Sequence, residues 1–563
     1  MTRNRFLTLL GAVVLCFAAS VESSAYTGSD YSFTKNGLYY KIIDGQNVRL
    51  VPGLQEPTGD VTVPYRVTNN STTYYVSELD AKTFQNLTGL TSVTFSTGTT
   101  SSMANKITVI PAKAFYNCIN LTKLKLPTNL TTIGEQAFYF CRSLKSNGTI
   151  SSMFDLPSTL TSIGISAFYN TAITRIVIPT GCTVGWGAFY NCDAIVHLTT
   201  NDKITKFDDC FGNLPNIQNL NLASGITSIP EGWFMNHTAL KEVQFASDTH
   251  MTELPKNLFK GCTGLTKVTL PYTVTTIGQN AFSGCTSITS INLDVATWLR
   301  TIPSQCFYGC SAMTAFSVPD FVTTVGSKAF GNMTALAEVS LGKGLTAATL
   351  ATDAFDGSNN ITKLTLDCND IVSQSYQGTA NLLVKYGFNK VETLCFGPNI
   401  KKIGDTAFER SQTITGIEFA AEGLEAIEPY AFFECKNLET IGTHDWSWGQ
   451  DGWSGHFPST LKTIGDAAFL YCERLSYQLY LTHSDISTIG RMAFYGTRIT
   501  MVEMFDDVTE IGEGAFWSKS LKKIRVWGST NDNRYSSSWD QKELNCIIDT
   551  QSNKVIADCE NTD

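Results

Sequence analysis

The stretch Leu265-Thr266-Lys267-Val268-Thr269-Leu270-Pro271-Tyr272-Thr273-Val274-Thr275-Thr276-Ile277-Gly278-Gln279-Asn280-Ala281-Phe282-Ser283-Gly284-Cys285 decides the fold. Its first half alternates apolar and polar residues, as a half-buried strand does. Pro271 ends the strand, Gly278 is read as the residue that turns the chain, and Ala281-Phe282 as one short helical or 3₁₀ turn. Leu121, Leu124, Leu126, Pro127, Leu130, Ile133, Gly134, Ala137, Phe138 and Cys141 repeat it position for position.

The Ala-Phe pair recurs at Phe115, Phe138, Phe168, Phe189, Phe282, Phe330, Phe355, Phe408, Phe432, Phe469, Phe494 and Phe516. Phe84, Phe211, Phe234, Phe259 and Phe307 hold the place in degenerate copies. One such unit cannot bury its own apolar side, so units must stack, their strands pairing in parallel, into a solenoid of about 18 coils. A chain of 563 residues would otherwise suggest several domains. The expected layout is a signal peptide over 1–25, a β-rich cap over 26–78, the solenoid over 79–527 and a β-hairpin cap over 528–563.

The pattern resembles the leucine-rich repeats of the BspA-like surface proteins, the bacterial type also named for its treponemal member. The matching residues are the strand Ile173-Thr174-Arg175-Ile176-Val177-Ile178-Pro179 and the turn running from Leu130 to Cys141. The lead-in Asn36 to Ile43 and Gly59 to Pro64 is similar to the cap of such proteins from Bacteroidetes. The resemblance implies a parallel sheet on a concave face and a secreted or outer-surface protein that binds host or bacterial macromolecules.

Arg3 and Arg5, the apolar run Phe6 to Ala19, and the small residues Ser23-Ser24-Ala25 read as an export signal cleaved near Ala25. No later stretch has the ~20 apolar residues of a membrane span. Charged residues are 16% of the chain and the net charge is -9, so no basic footprint for nucleic acid exists. An extracellular or surface macromolecule, protein or glycan, is the partner this composition suits.

Two places are candidates for binding. The first is the outward strand ladder, where His197, Asn219, Asn221, Glu242, Gln244 and Lys267 follow one another. Ser290 and Asn292 are expected to continue it. A plain solvated sheet face would show the same alternation. The second is an insertion between Phe432 and Phe469 that carries Trp446, Trp448 and Trp453. Insertions in repeat arrays gather on one face, and exposed indoles stack on sugars or anchor protein partners. The alternative is that these indoles plug the loop onto the solenoid edge. The long gap after Phe355 contains Lys385-Tyr386-Gly387-Phe388, read as a degenerate turn.

Cys118, Cys141, Cys192, Cys262, Cys285, Cys310, Cys435 and Cys472 each lie three residues after a repeat phenylalanine. Stacked side chains point the same way, a poor geometry for a disulfide, so these are expected to be buried free thiols packing as small hydrophobes. An exported protein would normally form disulfides. Cys546 and Cys559 differ: a hairpin turning at Ser552-Asn553 sets them opposite one another, within reach of a bridge. No His-Glu-x-x-His, paired Cys-x-x-Cys or Gly-x-Ser-x-Gly motif occurs, so neither a metal nor a cofactor nor an enzymatic role is expected. The sequons at Asn86, Asn120, Asn129, Asn332 and Asn360 coincide with repeat composition.

Overall fold

A computed structural model describes residues 30–97, 105–145, 153–443, 456–482, 484–505, 508–527, 543–545 and 560–561. The chain is a parallel-strand solenoid of about 19 turns, rich in strand and poor in helix. It divides into two compact units. One comprises Met1–Ala194 with Asp209–Gly212, the other Ile195–Asp208 with Asn213–Asp563.

In the first unit a five-stranded sheet opens the fold. Phe33–Lys35, Leu38–Ile42 and Asn47–Val51 form an antiparallel meander, and Thr72–Leu79 joins Asn47–Val51 in parallel. Gly59–Val63 lies within the stretch read as cap, yet it pairs in parallel with Leu90–Phe95, which pairs with Lys123–Lys125. The strand row of the coils therefore starts there. In the second unit, Lys523–Trp527 meets Glu543–Asn545 antiparallel, and Glu543–Asn545 meets Glu560–Asn561.

Each regular coil contributes to three parallel ladders. The first is the strand of the repeat, such as Glu242–Phe245 against Lys267–Thr269. The second is a two-residue strand ending on the repeat isoleucine, such as Glu253–Leu254 against Thr276–Ile277. The third runs through the Ala-Phe segment, which is a tight turn and not helical. The N–H groups of Asn280, Phe282 and Gly284 donate to the carbonyls of Ser304, Cys306 and Tyr308 in the next coil. In most coils the residues two before and two after the phenylalanine are left-handed: Asn280 has φ 58° and Gly284 φ 76°. Asparagine and glycine tolerate that conformation with little strain.

The repeat glycine has a different job from the one its position in a turn suggests. Gly134, Gly164 and Gly278 do not have positive φ. A Cβ on Gly134 would sit 2.5 Å from the Ala112 nitrogen, and one on Gly164 2.5 Å from the Glu135 nitrogen. On Gly278 it would lie 2.6 Å from Lys256 Cα. Glycine is required because one coil lies directly on the backbone of the coil before it.

The core is a phenylalanine stack. In the first unit the centroid spacing is 4.9 Å from Phe84 to Phe115 and 5.1 Å from Phe115 to Phe138. In the second it is 5.6 Å from Phe259 to Phe282 and 5.4 Å from Phe282 to Phe307. The rings are buried, and stacked offset rings gain beyond their buried area. The stack changes in the long gap after Phe355. Helix Leu382–Lys385, capped by the Asn381 side chain, fills that gap's turn. The Leu382 N–H donates to Ala407 O at 2.9 Å, the bond the repeat phenylalanine makes elsewhere. Leu382 thus holds the phenylalanine place, and the segment read as a degenerate turn, Lys385 to Phe388, instead sends Phe388 sideways onto Phe355 (5.0 Å).

The repeat cysteines are buried free thiols. Each donates to the carbonyl of the preceding coil's phenylalanine, as Cys285 does to Phe259 O (3.2 Å) and Cys435 to Phe408 O (3.1 Å). Ser358 replaces the thiol and makes the same bond to Phe330 O at 2.6 Å. Exchanging Cys285 for Ser should therefore be nearly neutral, whereas Cys285→Ala removes one of the two bonds to Phe259 O, which keeps that from the Cys262 N–H, and should cost about 0.5–1.5 kcal/mol in urea unfolding. Burial pushes Cys118, Cys262, Cys310 and Cys435 up to about 12 from an ordinary 9.0. A raised pKa favours the protonated thiol in the folded state. That contribution is complete below pH 9 and is lost as pH rises toward 12. Thiol titration at pH 8 should find these groups unreactive until the protein unfolds.

The sequons are partly occupied by structure. The side-chain amides of Asn120 and Asn360 each donate 2.8 Å bonds to carbonyls of the preceding coil, Thr88 O and Thr334 O. Among the described residues no helix is long and apolar enough to cross a membrane.

Candidate functional site

The outward residues of the strand row form a register-matched polar face within the second unit. Strands His197–Thr199, Asn219–Leu222, Glu242–Phe245 and Lys267–Thr269 run parallel. Their inward residues Leu198, Leu220, Val243 and Val268 are buried, so the alternation forces the others outward. One row reads His197, Asn219, Glu242, Lys267 and the next Thr199, Asn221, Gln244, Thr269. All six strand residues singled out in the sequence are therefore neighbours.

Their polar groups engage one another along the rows. Asn219 Nδ2 lies 2.9 Å from His197 Nδ1, and Asn221 Nδ2 donates to Thr199 Oγ1 at 3.2 Å. Lys267 Nζ lies 2.9 Å from Glu242 Oε1, with both side chains well solvated. Such an exposed pair contributes little to stability, which leaves the charges available to a partner.

The ladder does not continue through Ser290 and Asn292 as the sequence suggested. That coil makes a 3₁₀ turn at Leu293–Val295 in place of a strand. Asn292 closes the open edge with its side chain, accepting from Leu270 N–H at 2.8 Å and donating to Leu270 O at 3.2 Å. The strand row resumes as a six-stranded sheet from Ala315–Val318 to Thr440–Thr443.

On the face of this second sheet, Glu338, Ser340, Lys363, Thr365 and Glu418 hold the outward strand positions that alternation predicts, and Cys395 is the residue the sequence did not single out. Ala315, Ser317 and Ser340 are small, and with Glu338, Lys363 and Thr365 they line an open depression of about 230 Å³. Beside it, Cys395 Sγ donates to Glu418 Oε2 at 3.1 Å, and Lys363 Nζ lies 3.8 Å from the same oxygen. Burial, then the Glu418 carboxylate, pushes the Cys395 thiol up to about 12. It is a protonated donor here and not a nucleophile. A cysteine outside the three-after-phenylalanine position was the available signal.

Trp446, Trp448, Trp453, Cys546 and Cys559 lie outside the described residues. The Trp-bearing insertion leaves strand Thr440–Thr443 and returns at His456, which bridges Tyr480 in the next coil. Tyr477 reaches over with its hydroxyl to both backbone groups of Ile441. The insertion is therefore rooted on the strand row. The described histidines have structural partners: His237 Nε2 meets Asn213 O at 2.6 Å and His250 Nδ1 meets Ser224 O at 2.9 Å. Among the described residues no group of three or more His, Cys, Asp or Glu side chains could hold a metal ion.

A stack of short parallel strands with leucine-type inward residues and a polar outward ladder defines a leucine-rich-repeat protein. The family profile described as BspA type leucine rich repeat region (6 copies) matches residues 66–183, 147–263, 252–383, 385–445 and 453–559. The chain belongs to that family. Solved structures similar to it include a leucine-rich repeat protein from Bacteroides ovatus (19% identity, 88% of this chain and 100% of that one, TM-score 0.30). A leucine rich cell surface protein from Faecalibacterium prausnitzii matches at 19% identity over 80% of this chain and 94% of that one, with TM-score 0.31. The pneumococcal vaccine antigen PcpA matches at 15% identity over 89% and 88%, with TM-score 0.22. No match to a curated protein was found.

Proposed function

We propose that this protein is an exported, adhesin-like binding protein that recognises host or bacterial macromolecules through the outward face of its strand row and its edge insertions. The observation that carries the reading is the pair of in-register rows on four consecutive strands, His197-Asn219-Glu242-Lys267 and Thr199-Asn221-Gln244-Thr269. They form a broad hydrogen-bonding surface of mixed charge and not an enclosed pocket. Such a surface suits a large partner, whose many polar contacts set specificity. The similar Faecalibacterium prausnitzii structure is described as a cell surface protein. The N-terminal signal reading fits the same location, and N-terminal sequencing of the exported chain should begin near Tyr26.

Capture of partners from extracellular-matrix proteins and bacterial surface extracts tests the reading. Binding should fall at least about tenfold in an Asn221→Ala, Gln244→Ala, Lys267→Ala variant. Loss of an Arg- or Tyr-class hot spot would cost more. If no partner is captured and the protein associates strongly with itself, a structural surface component replaces this reading.

A second reading rests on the insertion being rooted on the strand row. Trp446, Trp448 and Trp453 would then form a glycan-capturing or protein-anchoring patch at the sheet's edge. Changing all three to Ala should weaken capture, and unchanged binding of every partner would refute the patch. A bridge between Cys546 and Cys559 belongs to the same proposal. The antiparallel pairing of Leu544 with Asn561 and of Asn545 with Glu560 supports it. Intact mass should be lower by two hydrogens than that of the reduced chain.

A further inference from the structure

The turn side of the first unit carries an aromatic strip that the strand-face reading does not use. Tyr116, Tyr139 and Tyr169 follow the repeat phenylalanine in successive coils. Their rings stack at 5.2 Å and 4.6 Å, within 3° and 14° of parallel. Phe140 stands nearly perpendicular against Tyr139 and Tyr169 (4.5 Å and 5.7 Å). The strip ends at Trp186, 57% exposed and 5.1 Å from Tyr190.

Phe140 itself is not dictated by the repeat. Phe140 occupies the left-handed position two after the repeat phenylalanine, with φ 61°. The flanking coils put asparagine there: Asn117 at φ 59°, Asn170 at 57° and Asn191 at 56°. A bulky residue in that region is strained; Phe140 is half-buried there, and Arg410, Glu434 and Tyr471 take the same position in coils of the second unit. Phe140 is not needed for the core, which Phe138 and Phe168 fill.

The chemistry of the strip selects a class of ligand. The parallel tyrosines present ring edges and hydroxyls, once per coil. Amides accompany them: Asn191 Nδ2 donates to the Tyr169 hydroxyl at 2.7 Å. The chain carries a net charge of -9, but the charges interleaved with the strip, Lys113, Glu135 and Arg142, are few and of both signs. Neither an acidic nor a basic partner is favoured. Repeating hydroxyl and amide groups, with exposed indole area for C–H stacking, fit a ligand that itself repeats hydroxyls and C–H faces. We propose that this strip, centred on Tyr139, Phe140, Tyr169 and Trp186, is a binding site for an extended, uncharged polysaccharide, separate from the strand face.

Affinity electrophoresis of the full chain in gels containing neutral β-glucan, xylan, mannan or galactan tests this. At least one gel should retard the wild type. Trp186→Ala should weaken that retardation about tenfold without lowering the unfolding midpoint. Phe140→Asn should weaken retardation while raising the unfolding midpoint, because Asn relieves the left-handed strain; a merely structural Phe140 would not give that opposition. The Asn221, Gln244, Lys267 variant should be retarded like the wild type. The proposal is overturned if no gel retards the wild type, if both strip variants are retarded unchanged, or if only the strand-face variant loses retardation.

Discussion

Phe282→Ala is expected to destabilise the second unit by about 3–5 kcal/mol, the cost of emptying a large buried aromatic site. Phe282 lies between Phe259 at 5.6 Å and Phe307 at 5.4 Å and is fully buried. Its backbone is fixed on both sides by the turn ladder, since Phe259 N–H bonds Ala281 O and Phe282 N–H bonds Cys306 O. The cavity therefore has little room to collapse. Because each coil contacts mainly its neighbours, hydrogen exchange should quicken first in residues 259–307 and later elsewhere. Phe282→Leu, which keeps most of the volume and matches the leucine that stands at position 382, should recover much of the loss.

The next largest effect is expected at Gly278. An added methyl group would overlap Lys256 Cα at 2.6 Å and Pro255 C at 2.7 Å, both backbone atoms that cannot swing aside. The coils must separate locally, and overpacking of this kind costs about 1–3 kcal/mol or more. Gly45→Ala is the control, because nothing lies within 4 Å of its added Cβ. A lowered urea midpoint for Gly278→Ala with no change for Gly45→Ala is the expected pair of results. Equal effects would mean that backbone freedom, not coil spacing, is what the repeat glycine supplies.

These two residues also show what can be read from sequence here. Phe282 announces itself by recurrence, and the buried state of Cys285 follows from its fixed offset, since a position that repeats every coil must repeat its environment. The bond from Cys285 to Phe259 O does not follow, because it joins two coils and leaves no local trace. The role of Gly278 was misread for the same reason: glycine near a turn suggests conformational freedom, and only the neighbouring backbone shows the lack of space. Asn292 and Leu382 were lost to tertiary context. One replaces strand pairing with a side chain, and the other holds the phenylalanine position without an aromatic ring.

The candidate site divides in the same way. His197, Asn219, Asn221, Glu242, Gln244 and Lys267 were legible because strand alternation and parallel register together place them. Lys363 and Glu418 are legible in the same way, but Cys395 between them is not, since its contact with Glu418 depends on which strands lie side by side across an irregular gap. The tyrosines that follow the repeat phenylalanine occupy positions the consensus leaves free, so nothing in the repeat pattern marks them.

The outward strand face is proposed to bind a macromolecule. Surface plasmon resonance with the immobilised full chain, passed over by matrix proteins and bacterial surface extracts, tests it most directly. The expected result is a partner whose affinity falls at least about tenfold for the Asn221→Ala, Gln244→Ala, Lys267→Ala variant, with an unchanged unfolding midpoint. A partner bound equally well by wild type and variant, for every partner found, would contradict it.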